Sequence, residues 1–347
     1  MDEKTRKENR KTRKRAIEQD RSKYKKTDLG KWEKQQKEEM QKKLSSRNLH
    51  RGRVLAIHPE SIAVEYAGKV YSCVLRGLLK REARRMKNLV TVGDFVLFSE
   101  GVIALVEERR SFLARKEHLG GRKQQLIAAN IDQVLITVSV ADPPLKPSLI
   151  DRYIIAAYKG KMEPILVINK MDLLEEHPEE RRLVLAFIEL YRSLGLTVMG
   201  ISAYTGEGMG ALREQMRGKA SVFSGQSGTG KSSIINELTG LDFMTGTIVK
   251  RTRKGAHTTT AAQLIPLAFG GWCIDTPGIR SFGVWDLTLE DLHAYFPEIE
   301  EEGRGCRYPN CSHSHEPECA VRQGVERGTI SPLRYDSYLK LLDEEHD

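Results

Sequence analysis

The sequence predicts a multidomain chain: an N-terminal OB-type β-barrel, an α/β domain built round a phosphate loop with its motifs in circularly permuted order, and a small, mostly helical metal-binding C-terminal domain. Three observations predict it. Five short alternating apolar runs lie between Gly52 and Leu113. Gly225-Gln226-Ser227-Gly228-Thr229-Gly230-Lys231-Ser232-Ser233 fits G-x-x-x-x-G-K-[ST] without a gap. Cys306, Cys311, His313 and Cys319 fall within fourteen residues of one another. The expected boundaries are 1–48 for a basic arm, 49–114 for the barrel, 115–284 for the α/β domain and 285–347 for the C-terminal domain.

The arm comes first. Met1 to Arg53 holds 20 Lys/Arg against 9 Asp/Glu, and the remainder holds 36 against 38, so the whole positive excess sits in the first sixth of the chain. With almost no apolar periodicity, this segment reads as a flexible arm or as a solvated helix formed on a partner. A polyanion is the natural partner, because Lys and Arg gain affinity by releasing counterions from a phosphate backbone; a solubilising tail is the alternative. Nothing in Met1–Arg15 resembles an apolar signal region, and no run of about 18 apolar residues is present. A cytoplasmic protein with no membrane partner is expected.

The barrel follows. Arg53–Ile57, Ser61–Tyr66, Lys69–Val74, Asp94–Phe98 and Val102–Val106 alternate with a period of two, separated by turns such as Ala67-Gly68 and Val92-Gly93-Asp94. Five strands in so short a span suit an OB-type barrel, a fold that commonly presents one face to nucleic acid; an SH3-like barrel is the alternative. Arg76, Lys80, Arg81, Arg84, Arg85 and Lys87 form a basic insert between the third and fourth strands.

Then the pattern lengthens. Val134–Val140, Pro164–Ile168 and Thr197–Ile201 are near-continuous apolar runs, as parallel strands buried on both faces should be. Helical stretches at Ser148–Tyr158 and Pro178–Leu194 lie between them, giving a doubly wound sheet with ligand loops at the strands' carboxyl ends. Ala220–Phe223 reads as the strand before the phosphate loop, and Ser232–Leu238 as the helix after it. Lys231 is expected on the β/γ-phosphates and Ser232 on Mg²⁺.

The nucleotide is chosen by Asn169-Lys170-Met171-Asp172. Asp172 can accept from the N1–H and the 2-amino group of guanine, whereas adenine would leave its charge unpaired. Asn169 is expected to tie this loop to the phosphate loop, Lys170 to lie along the base, and Ser202-Ala203 to complete the pocket. Asp275-Thr276-Pro277-Gly278 has the D-x-x-G form, in which Asp275 approaches Mg²⁺ through water and the Gly278 N–H meets the γ-phosphate. Of Thr258, Thr259 and Thr260, Thr259 is the first choice as a nucleotide-sensing Mg²⁺ ligand and Thr258 the second. The basic loop Lys250–Lys254 could meet transition-state charge or RNA. The nucleotide is therefore GTP, and the domain reads as a P-loop GTPase.

In Ras-like GTPases the phosphate loop precedes N-K-x-D and S-A; here it follows them. Circular permutation explains the order, because a compact sheet with neighbouring termini can be opened elsewhere. Ile279 stands where those enzymes carry a glutamine that orients water, so slow intrinsic turnover is expected. His257 is the candidate to supply that function, with RNA contact or a loop cap as the alternative role.

Cys306-x₄-Cys311-x-His313-x₅-Cys319 is a closed set of three thiolates and one imidazole for a structural Zn²⁺, with His315 as a possible substitute for His313. A helix is expected over Thr288–Phe296. Another begins at Ser331-Pro332, with Leu333, Tyr338, Leu341 and Leu342 on its apolar face. Cys73 and Cys273 read as core residues.

Taken together, the permuted motifs, the five-strand module and the Cys₃His cluster resemble the RsgA (YjeQ) family of circularly permuted GTPases over about residues 50 to 330. The resemblance implies a monomer that binds the small ribosomal subunit and its rRNA, assists its late maturation, hydrolyses GTP when stimulated by the subunit, and then leaves. It also implies a contribution from a histidine such as His257. The arm lies outside the matched core. A nucleotide-gated RNA-binding adaptor is the alternative reading; a zinc-containing DNA-binding regulator is disfavoured, since no helix-turn-helix or finger helix is evident.

Overall fold

The computed structural model describes residues 49–77, 89–116, 124–175, 178–240, 262–275, 292 and 294–343. The expectations for the arm, for Lys80, Arg81, Arg84, Arg85 and Lys87, for Lys250–Lys254, for His257 and Thr258–Thr260, and for Thr276–Ile279 lie outside the described residues, as does most of Thr288–Phe296.

Strands β1 (His50–Ile57), β2 (Ile62–Tyr66), β3 (Lys69–Leu75), β4 (Phe95–Ser99) and β5 (Val102–Val106) close a barrel in the order β1-β2-β3-β5-β4. β4 returns to β1, and β3 pairs with β5 in parallel, the Greek-key path of an OB-type barrel. Alternation explains the closure. Val54, Ile62, Val64, Cys73, Val96, Phe98 and Ile103 point inward and form one apolar cluster. Ala67 and Gly68 both have positive φ, as the two-residue hairpin turn between β2 and β3 requires.

Two strands that escaped the sequence reading, β6 (Phe112–Lys116) and β7 (Gln124–Ala129), pair as an antiparallel ribbon next to the barrel. Their apolar residues do not alternate cleanly, so period gave no signal.

A six-stranded sheet forms the centre of the molecule. β8 (Gln133–Ser139), β9 (Glu163–Asn169), β10 (Thr197–Gly200), β11 (Ala220–Ser224), β12 (Gln263–Pro266) and β13 (Trp272–Asp275) run in the order β10-β9-β8-β11-β13-β12. All pairs are parallel except β12 with β13. β8 and β11 are buried along their whole lengths, the consequence of helices on both faces. Helices α1 (Pro147–Lys159) and α2 (Pro178–Ser193) cover one face; α3 (Met209–Met216) and α4 (Lys231–Thr239) cover the other. β8 and β11 pair side by side in parallel, so the loops after them meet.

The C-terminal part contributes α5 (Pro297–Gly303), α6 (Ala320–Arg327) and α7 (Pro332–Asp343). Phe296, Ile299, Val321, Ile330, Tyr338, Leu341 and Leu342 form its core, which also takes in Ile155 of α1. The expected apolar face of α7 needs one correction. Leu333 is 46% exposed, while Arg334 beside it is buried. A 100° step along the helix puts Arg334, Tyr338 and Leu341 on one stripe and Leu333 off it.

Cys73 and Cys273 are both buried in core strands. Among the described residues, no helix is long and apolar enough to cross a membrane.

Candidate functional site

The carboxyl ends of β8, β9, β10 and β11 gather three of the segments singled out in the sequence. Gly225–Gly230 links fully buried β11 to α4, and Gly225, Gly228 and Gly230 have φ of 137°, 86° and 88°. Two of these glycines are fixed by contact as well as by φ. A Cβ on Gly225 would lie 2.0 Å from the Thr137 carbonyl oxygen, and one on Gly230 would lie 2.2 Å from Asn169 Nδ2. The backbone must therefore approach β8 and the Asn169 amide more closely than any side chain permits.

Asn169 ends β9 and is 3% exposed. Its Nδ2 donates to the Thr229 carbonyl at 3.0 Å, and its Oδ1 accepts from the Ala203 N–H at 3.1 Å. One amide therefore joins the phosphate loop, the Asn169–Asp172 turn and the Ser202-Ala203 loop. Ser202 is fully buried and its hydroxyl receives the Thr205 N–H. The Met171 N–H donates to the Ile201 carbonyl, closing the two base-side loops on each other. Lys170 has φ of 65° and donates from Nζ to the Asp142 carbonyl at 2.6 Å. Asp172 Oδ1 is buried, with no hydrogen-bond partner among the described residues. An acceptor that is kept from water and left unpaired costs free energy, and a ligand offering N–H donors recovers it.

Lys231, the first residue of α4, donates from Nζ to the Gly225 carbonyl at 2.8 Å and also to that of Gln226. Its ammonium is thus held over the phosphate loop by the loop's own carbonyls. Ser232 and Ser233 follow in the first turn of α4, whose N–H groups and dipole favour an anion. Gly225, Gln226, Ser227, Gly228, Thr229, Gly230, Lys231 and Ser232 thus line one cradle. Asp275 ends β13, directly beside β11. Its backbone emerges at the same sheet end as the phosphate loop.

A family model described as the RsgA GTPase matches residues 106–285, more than half of the chain. The chain belongs to the RsgA GTPase family. It is therefore a hydrolase acting on GTP, in circularly permuted form. Among similar RsgA proteins, the "Small ribosomal subunit biogenesis GTPase RsgA" of Bacteroides fragilis is 37% identical over 286 residues, which cover 81% of this chain and 92% of that one. The protein of the same description from Chlorobaculum tepidum is 43% identical over 270 residues, covering 74% and 85%. The crystal structure of YjeQ from Thermotoga maritima superposes with a TM-score of 0.67 at 34% identity, covering 85% of this chain and 98% of that one. YloQ, a circularly permuted GTPase, gives 0.65 at 29% identity.

The second gathered group in this RsgA chain is Cys306, Cys311, His313 and Cys319, whose ligand atoms all lie within 4.8 Å of one another. Cys306 and Cys319 sulfurs are 3.8 Å apart, and each lies 3.5 Å from His313 Nδ1. A tetrahedral ion with metal–sulfur bonds of ~2.3 Å needs edges of ~3.8 Å between sulfurs and ~3.5 Å from sulfur to nitrogen. Cys306, His313 and Cys319 therefore stand at tetrahedral spacing, and with Cys311 beside them the group could hold a metal ion. His313, rather than His315, faces the thiols: His315 is exposed and its Nδ1 pairs with the Ser314 hydroxyl. His313 takes φ of 63°, and its carbonyl accepts from Tyr335 Oη at 2.7 Å. Burial pushes the Cys311 thiol up to about 12, so a thiolate there depends on a cation beside it.

Arg53, Asp151 and Arg334 gave no motif signal, yet each is buried at a junction. Their only sequence mark is a charge within an apolar run, which a solvated face would also produce.

Proposed function

We propose that this GTPase binds the small ribosomal subunit, assists its late maturation, and couples subunit-stimulated hydrolysis of GTP to its own release. The observation that carries the reading is Asn169, which locks a guanine-selecting loop to a phosphate loop inside a chain whose relatives are described as small ribosomal subunit biogenesis GTPases. The basic arm, and the OB-type barrel with its Arg76 and neighbouring insert, support rRNA as the surface it meets. The protein works as a cytoplasmic monomer in this reading, and Zn²⁺ holds the Cys₃His group as a structural ion.

The geometry supports definite tasks for the residues. The Asp172 carboxylate, one oxygen of which is otherwise unpaired, accepts the N1–H and 2-amino group of guanine. Asn169 positions the loops, Lys170 flanks the base, and Met171, Ser202 and Ala203 shape the pocket. Gly225–Gly230 and Lys231 hold the phosphates, with Ser232 and Ser233 at the helix start. Ser232, Thr259 and Asp275 offer the oxygen donors a Mg²⁺ ion takes, and that ion would neutralise charge on the β- and γ-phosphates. Gly278 meets the γ-phosphate, and His257 supplies what Ile279 lacks. His257→Ala is expected to abolish stimulated turnover with GTP affinity retained; unchanged stimulation removes His257 from the mechanism.

Co-sedimentation with small subunits in GTP and in GDP tests the reading as a whole. Preferential binding in GTP, with turnover rising on addition of subunits, is expected. Binding indifferent to the nucleotide would overturn it. Single-turnover assays with and without subunits separate the GTPase from an RNA-binding adaptor whose hydrolysis is incidental.

A further inference from the structure

Helix α1 carries two stripes with different partners. Ile150, Tyr153, Ile154 and Ala157 pack into the core of the sheet. Asp151, Ile155 and Tyr158, at spacings of four and three, face the C-terminal part. Ile155 belongs to that part's apolar core, and the Tyr158 ring stacks on Tyr295 with centroids 6.2 Å apart. Between these contacts lies Arg334 of α7, whose side chain is 6% exposed. It pairs with Asp151, donates from Nε to Glu298 at 2.6 Å, and lies over the Phe296 ring at 4.1 Å. Asp151 also accepts from Tyr191 Oη of α2 at 2.9 Å.

The N-terminal end of α1 faces the phosphate loop across a small cavity. Lys146, Leu149, Ile150 and Tyr153 share a small cavity wall with Gln226 and Thr229. In the same turn, Pro143 Cδ would lie 3.4 Å from a Cβ on Gly228. Ile150 and Tyr153, which flank Asp151 on α1, form part of that lining, so a displacement of α1 at Asp151 reshapes the cavity shared with Gln226 and Thr229.

We propose that Asp151 and Arg334 are positioning residues for the phosphate loop, through which docking of the metal-binding C-terminal part on α1 sets the affinity for the guanine nucleotide. The proposal rests on the phosphate loop being the GTP site, and it adds the partner that holds that site in shape. Linkage makes the effect reciprocal: nucleotide binding tightens the docking of α7 by the same factor that docking tightens nucleotide binding. The fork of Arg334 suits the task, because one planar guanidinium meets a carboxylate from α1 and another from α5 while its face rests on Phe296.

The test uses the full chain with its metal bound. Titration with fluorescent GDP, steady-state GTP hydrolysis and hydrogen exchange over residues 332–343 are compared in wild type, Arg334→Met, Arg334→Lys, Asp151→Asn and the double variant Asp151→Asn/Arg334→Met. Both single variants of the pair are expected to weaken GDP binding on the order of tenfold and raise KM alike, with kcat within about twofold. The double variant should be no weaker than the weaker single, and Arg334→Lys should recover part of the loss. In wild type, GDP should slow exchange over residues 332–343. Wild-type affinity in Arg334→Met with faster exchange over residues 332–343 would overturn the proposal. So would exchange in wild type that ignores GDP. Should Arg334→Met fail to fold, the near-isosteric Asp151→Asn decides on the same readouts. Wild-type binding of GDP checks the site itself, so failure of the site and failure of the coupling give different results.

Discussion

Two buried arginines join the central domain to its neighbours, and they do so by different physics. Arg53 of β1 lies between the Phe95 ring at 5.1 Å and the Trp272 ring at 4.6 Å, and donates to the Asn130 carbonyl at 2.6 Å. No carboxylate touches it among the described residues, its Nε has no hydrogen-bond partner, and burial lowers it to about 10 although Asp132 pulls the other way. Arg334 is met by two carboxylates, which outweigh its burial and raise it above the usual arginine value. The barrel junction therefore rests on ring faces, a carbonyl and the Asn130 amide, which also joins Gly93 to Arg110. The C-terminal junction rests on a charge network whose members need one another. Rings tolerate loss of the cation they hold; a buried carboxylate does not.

The contrast is broken most strongly by removing the metal. Chelation is expected to open the C-terminal part, because binding of a structural ion is worth about 10–16 kcal/mol in small zinc modules. Hydrogen exchange should then lose protection over residues 299–343 while β1, β4 and β13 keep theirs. Loss of protection on both sides would mean that the junctions are not independent.

Next in size is the pair of arginine replacements. Arg334→Met strands Asp151 and Glu298 and should cost about 3–5 kcal/mol, read as the opening free energy of α7. Arg53→Met keeps the stacked aliphatic stem and removes one hydrogen bond and two cation–ring contacts, a loss of about 1–2 kcal/mol at the barrel junction. Equal costs would erase the distinction between the two junctions.

A pH measurement sharpens the C-terminal side with the smallest effect. Burial lifts the Glu316 carboxyl, but the Ser312 N–H and hydroxyl, with the His315 N–H, outweigh it and hold the group at about 2. A folded value below the unfolded one, ~4.3, contributes stability above that pH and loses it as pH falls towards 2. Glu316→Gln should therefore be less stable by about 1–2 kcal/mol at neutral pH, with the difference from wild type closing in acid. A gap that stays constant with pH would assign the loss to shape rather than charge.

Much of this molecule was legible before folding. Alternation marked all five barrel strands, because a barrel face is half buried and the period of two survives in sequence. The phosphate loop, Asn169–Asp172 and Ser202-Ala203 were legible because each is a short contiguous segment whose backbone geometry demands particular residue types. The ribbon β6–β7, the antiparallel β12 and helix α6 were not; each is short, and neighbours rather than local period hold it. His313 against His315 could not be settled from spacing, since either reaches a thiol set along the chain.

By itself the sequence determined the nucleotide, the permuted order and the Cys₃His group that could hold a metal ion, because chemistry at those places depends on residue identity at fixed short offsets. Tertiary structure alone decided which buried charges meet. Arg334 stands 183 residues from Asp151, and Arg53 lies 77 from Asn130, separations across which no periodicity carries information. Their pairing follows from packing: elements brought together by apolar faces leave a polar atom inside, and the free energy of burying it selects its partner.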